Sequence, residues 1–159
     1  MNIEETITPE LCLLGGKASS RKKALQLISD LFFQINNQVD SFSLLKAMVS
    51  REQLGSTAIG NGVALPHGRI KECKVPQAAL ITLEDAIDFS APDKEKVDII
   101  FALIVPFEHN FKDIIGLDNI VQVFSDKKIC AQMRNAHNNE ALYEIFLQAN
   151  TLYSKGNEE

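Results

Sequence analysis

Pro66-His67-Gly68, followed at once by Arg69, is the part of this 159-residue chain best equipped for chemistry. Proline fixes its own φ and glycine frees its own, so a histidine between them sits in a specified backbone setting. A neutral imidazole is a good nucleophile near pH 7, because its ordinary pKa is about 6.5. Phosphoryl transfer to nitrogen needs an aligned nucleophile and donors for the phosphoryl oxygens, and little else from the protein. Arg51 and Arg69 supply guanidinium groups that can grip such oxygens in pairs. Ser56 and Thr57 add hydroxyls, and Gly68 presents no side chain to an incoming group while leaving backbone N–H groups approachable. The set reads as a phosphohistidine site with His67 as acceptor. The plain alternative is a turn that exposes a histidine.

Other chemistries fit less well. His67, His109 and His137 are far apart, with no HxH or HxxxH pair to seed a metal site. No GxSxG elbow points to a hydrolase. Gly55, Gly60, Gly62 and Gly68 match neither GxxxxGK[ST] nor GxGxxG. No metal and no cofactor are expected. His109 and Asp113 are spaced to share a helical face at the end of a strand, where open α/β sheets place sites. They read equally as two solvated helix residues, and His137 reads as a loop histidine.

The elements around His67 follow from hydrophobic spacing. Leu11–Leu14 is a short apolar run ended by Gly15-Gly16, an edge strand or turn entry. Ala24, Leu27, Ile28, Leu31, Phe32 and Ile35 form one stripe of a helix over about 20–36, with Ser19 or Ser20 as cap. A second helix starts at Ser41 or Ser43, carries Arg51 in its last turns and ends at Gly55. Residues 56–59 and 63–65 flank Asn61-Gly62, the favoured pair of a tight hairpin. His67 then falls just past the second hairpin strand, where Pro66 stops the ladder.

Residues 78–83 form a further strand, and Ile87-Asp88-Phe89 a separate extended piece. The run 96–105 is apolar from Val97 on except for Asp98, as expected of a central strand covered on both faces. Three helices follow: about 109–124, one after Ser125 or Asp126, and one after Asn138 or Asn139. Residues 154–159 read as a frayed tail. Helices, then strands, then helices imply one α/β domain over 1–159 with a central mixed sheet.

Bulk composition narrows the partners. A net charge of −5 argues against nonspecific nucleic-acid binding. The longest apolar run, Ile99–Val105, is far too short to span a bilayer. The acidic start MNIEETITPE lacks the apolar region of a secretory signal. Three widely spaced cysteines fit a reducing cytoplasm better than a disulfide framework.

The string Arg51-Glu52-x-Leu54-Gly55-Ser56-Thr57-x-Ile59-Gly60-x-Gly62-Val63-Ala64-x-Pro66-His67-Gly68 resembles the signature of IIA domains of the bacterial phosphotransferase system, mannitol/fructose group. Stand-alone nitrogen-regulatory IIA proteins are the most similar. Ile87-Asp88-Phe89, Val97–Pro106, Phe124–Lys127 and Leu142-Tyr143 carry the likeness across nearly the whole chain.

The resemblance implies a three-layer α/β/α sandwich and a cytoplasmic phosphocarrier. Its acceptor would be His67, as tele-phosphohistidine, with Arg51 beside it. Its donor would be an HPr-like protein, with enzyme I and phosphoenolpyruvate upstream, and its output the regulation of partner proteins. Two other roles fit the same resemblance: a binding module impaired in phosphorylation, and a sugar-uptake IIA that delivers phosphate to a separate IIB. Many members carry a second histidine after Val-Pro. Ungapped alignment from Ser125-Asp126-Lys127 puts that position on Asp113, whereas the Glu108-His109 pair puts it on His109. An aspartate there would both orient an imidazole and repel a phosphoryl group.

Overall fold

The chain folds around one strand. In a computed structural model that describes residues 2–157, β6 (Val97–Pro106) runs through the middle of a six-stranded sheet, buried along nearly its whole length. On one side it pairs antiparallel with β5 (Gln77–Ile87), and β5 pairs parallel with the edge strand β1 (Cys12–Gly16). On the other side β3 (Val63–Ala64) and β4 (His67–Ile70) pair in turn with β6, both parallel. The short β2 (Ala58–Gly60) pairs antiparallel with β3. The sheet is therefore mixed.

Helices cover both faces. Helix α1 (Arg21–Ile35) packs on β5, and α2 (Ser41–Leu54) packs on α1 and β4. Helices α3 (Leu117–Ser125), α4 (Lys127–Arg134) and α5 (Asn139–Asn157) pack together on the opposite face. There Phe101 of β6 has its ring 5.3 Å from both Phe124 of α3 and Phe146 of α5. Each of these phenylalanines is at most 2% exposed. Burying one such side chain is worth about 1.5–3 kcal/mol, which ties this helical layer to the central strand.

Local chemistry explains the boundaries. Ser20 caps α1, its Oγ accepting from Lys23 N at 3.2 Å. The cap of α2 is Asp40 rather than Ser41 or Ser43: its carboxylate accepts from Ser43 N at 3.2 Å and from Ser43 Oγ at 2.6 Å. Asn61 and Gly62 both take positive φ, 58° and 80°, and turn β2 into β3.

Three expectations are corrected. Residues 77–87 form one strand, because Glu84 and Asp85, which look like turn residues, stay extended with their side chains in solvent. The helix expected from 109 starts only at Leu117. Gly116 takes φ +90°, and Ile3 N donates to Ile115 O at 2.8 Å, so the segment before it is a single 3₁₀ turn, Phe111–Asp113. The presumed frayed tail is helical through Asn157, while Glu158 and Glu159 lie outside the described residues.

Candidate functional site

His67 is the first residue of β4, not a loop residue beyond the hairpin. Pro66 does interrupt the ladder, since it has no N–H, but its carbonyl accepts from Leu103 N at 3.0 Å. The chain then rejoins β6 with His67 opposite Leu103. The central strand thus fixes the position of the imidazole.

Two contacts set the tautomer. Arg51 Nε lies 3.2 Å from His67 Nε2, and His67 Nδ1 lies 3.2 Å from Leu65 O. A guanidinium only donates and a carbonyl only accepts. Nδ1 therefore carries the proton, and the ring's in-plane lone pair is on Nε2, where it accepts from Arg51 Nε. The ring is half-buried, and burial, aided by the Arg51 charge, pushes its pKa below the ordinary 6.5. The hydrogen bond to Leu65 and the Glu52 charge oppose that shift without reversing it.

Arg51 is presented by the end of α2. Its Nη1 donates to Gly55 O at 2.8 Å, and Gly55, at φ 153°, closes the helix by donating to Glu52 O at 3.1 Å. On the other side of the imidazole stands Phe111, edge-on, with ring centroids 5.0 Å apart. Beside the pair opens a cavity of about 450 Å³. Its polar end holds Arg51, Ser56 and His67, and its apolar wall includes Leu65, Leu103 and Ile120.

The other expected site residues are placed as follows. Ser56 Oγ donates to Phe89 O at 2.5 Å and accepts from Ala58 N at 3.1 Å. Thr57 is buried, and its hydroxyl donates to the Glu52 carboxyl group. Both hydroxyls are thus committed to structural bonds. Gly68 faces away from the cavity: a Cβ there would meet Ala47 Cβ at 3.5 Å, so the space it leaves open is on the α2 side. Arg69 is exposed, stacks over Phe111 at 5.6 Å and donates to Asn110 Oδ1 at 3.1 Å.

His109 and Asp113 do not share a helical face, because the segment is a 3₁₀ turn. Asp113 Oδ2 accepts from Asn110 N at 3.4 Å, and His109 Nδ1 is buried without a partner among the described residues. Neither is hydrogen-bonded to His67 among those residues; the side chain that this segment brings to the imidazole is Phe111. The helix expected over about 109–124 took in Phe111 as an ordinary helical residue, and so the sequence missed it. The Leu65 carbonyl was also missed. A carbonyl two residues before a histidine, across a proline, is a readable pattern only once the backbone path is known.

Comparison with known proteins gives one answer. The family described as "Phosphoenolpyruvate-dependent sugar phosphotransferase system, EIIA 2" matches residues 5–149. A nitrogen regulatory protein of Klebsiella oxytoca is 37% identical over 134 residues, 82% of this chain and 80% of its own. The nitrogen regulatory protein of Pseudomonas aeruginosa is 32% identical over 145 residues, 91% and 94% of the two chains. The crystal structure of nitrogen regulatory protein IIA-Ntr from Neisseria meningitidis superposes with a TM-score of 0.81 at 28% identity, covering 90% of this chain and 97% of that one. The mannitol IIA of Escherichia coli, at 16% identity and a TM-score of 0.69, shares the fold. With most of its length matched by both the family and its relatives, the chain belongs to the EIIA type 2 family of the phosphoenolpyruvate-dependent phosphotransferase system.

Proposed function

We propose that the protein is a phosphocarrier of the nitrogen-regulatory kind, which accepts a phosphoryl group on Nε2 of His67. The observation that carries this reading is the pair of contacts on the imidazole: Leu65 O holds the Nδ1 proton, so the lone pair is on Nε2, beside Arg51.

In the reaction, the Nε2 lone pair attacks phosphorus. The P–N bond to the donor's phosphohistidine breaks, and its electron pair returns to the donor's imidazole. His67 keeps its Nδ1 proton, and Leu65 O stabilises the positive charge that grows on the ring. Arg51 turns from the nitrogen to the phosphoryl oxygens, where a guanidinium binds two at once. The depressed pKa leaves more of the ring neutral, and so nucleophilic, than an ordinary imidazole would be at the same pH.

An HPr-like protein is the donor in this reading, and the apolar wall of the cavity with half-exposed Val121 on its rim is where it would dock. Relatives named as nitrogen regulatory proteins support a regulatory output over sugar uptake. No described helix is long and apolar enough to cross a membrane, and all three cysteines are free, which suits a carrier working in the cytoplasm.

The test is incubation with phosphoenolpyruvate, enzyme I and an HPr-like protein, followed by intact mass measurement. An acid-labile phosphoryl adduct is expected on the wild type and not on His67→Ala. No adduct on the wild type overturns the carrier role, and an adduct that survives in His67→Ala overturns the site.

A further inference from the structure

Glu52 lies next to Arg51 in the last turn of α2 and is 4% exposed. A carboxyl group so deeply placed must be matched by donors. Three groups supply them. Thr57 N donates to Oε2 at 3.2 Å, the Thr57 hydroxyl donates to Oε1, and Arg21 Nη1 of α1 lies 3.7 Å from Oε2. Arg21 is itself steadied over the Phe89 ring at 5.9 Å, and Phe89 O holds Ser56.

The loop 52–57 is therefore closed twice by one residue. The Glu52 backbone carbonyl takes Gly55 N, and its side chain takes Thr57. Inside that loop is the Gly55 carbonyl, the second anchor of the Arg51 guanidinium. The route from Glu52 to the imidazole is continuous: carboxyl group, loop, Gly55 O, Arg51, Nε2.

We propose that Glu52 is a positioning residue for phosphoryl transfer, locking the loop that aims Arg51 at His67 Nε2, with Thr57 and Arg21 as its clamps. The inference rests on His67 being the acceptor. Thr57, whose hydroxyl looks like a phosphate ligand in the sequence, serves the site through Glu52 instead. Small losses of aim are costly in transfer reactions, since a misplacement of about 1 Å can cost on the order of 100-fold.

The experiment is a double-mutant cycle with two readouts. Glu52→Gln keeps the volume and removes the charge. It is expected to slow transfer to His67 by roughly tenfold to a hundredfold, and to have no further effect in an Arg51→Ala background. The second readout needs no donor protein: the titration midpoint of His67 followed by NMR. Arg51→Ala raises that midpoint in the wild type by removing a nearby positive charge, and raises it much less when Glu52 is already Gln. Thr57→Val behaves as Glu52→Gln, whereas Thr57→Ser, which keeps the hydroxyl, behaves as wild type; this pair decides the matter if Glu52→Gln does not fold. Equal slowing by Glu52→Gln with and without Arg51, or equal midpoint shifts in both backgrounds, overturns the role of Glu52. Failure of the wild type to take a phosphoryl group overturns the acceptor reading itself.

Discussion

At the scale of single residues, the site is a histidine whose two nitrogens are given different tasks by groups with only one hydrogen-bonding option each. Its depressed pKa has a sign that can be checked. With His67 as the proposed acceptor, protonation would remove the nucleophile, so the acid limb of the transfer rate should have its midpoint below 6.5, where a free imidazole would already be fading. Phe111 contributes to the burial behind that shift. Phe111→Ala should raise the His67 midpoint toward its ordinary value and shorten the lifetime of the phosphoryl adduct by admitting water. NMR titration and adduct decay measure the two effects separately, and an unmoved midpoint would show that Phe111 does not desolvate the ring. The meeting of Arg51 and His67 was legible because a helix end and an Asn-Gly hairpin flank the chain between them and fold one back on the other. Phe111 was not, because what brings it to the ring is a break in an apparently continuous helix stripe. That break is made by Gly116 and by an N-terminal segment more than a hundred residues away in sequence.

At the scale of elements, patterns of local chemistry predicted well and patterns needing long-range partners did not. Ser20, the Asn61-Gly62 turn and the Gly55 stop all act within a few residues of themselves, and each is where spacing put it. Strand β4 has no such signature. Four residues, one of them glycine, become a strand only because β6 offers them a free edge. The hairpin also carries a testable load. At Gly62 a Cβ would stand 2.7 Å from Arg134 Nη2 and 3.1 Å from Asp98 Oδ1, the two groups of α4 and β6 that pair at 2.9 Å beside the turn. Gly62→Ala should cost about 1–2 kcal/mol from the left-handed backbone alone, and more from the displaced ion pair. Denaturant unfolding measures it, and a loss under half a kilocalorie would mean that the turn relaxes freely. Ser20→Ala, which removes only a cap, should cost about 1 kcal/mol by the same assay.

At the scale of the whole molecule, three buried phenylalanines join β6 to α3 and α5. Phe146 is fully buried between Phe101 and Phe124, and Phe146→Ala should cost about 3–5 kcal/mol. Domains of this kind have about 5–15 kcal/mol to lose, so a shift of many degrees in thermal midpoint is expected. The site leaves its own mark on global stability. His67 binds its proton less readily when folded than when unfolded, so between 6.5 and its lower native value the unfolded state holds more protons. Stability should therefore fall as pH drops through that window, and the part due to His67 should vanish in His67→Ala. Thermal melts of the two proteins across this range test the sign.

The placement of His67 on the first rung of a strand bears on how such a carrier would signal. A phosphoryl group adds nearly two negative charges. Here they would arrive on a residue whose backbone is paired to the buried central strand of the sheet. Such a mark is written in charge rather than in shape. The two forms should migrate differently on a native gel yet give superimposable small-angle scattering curves, and a regulated protein would have to read the difference by touch, through its own complementary charges, at this one face.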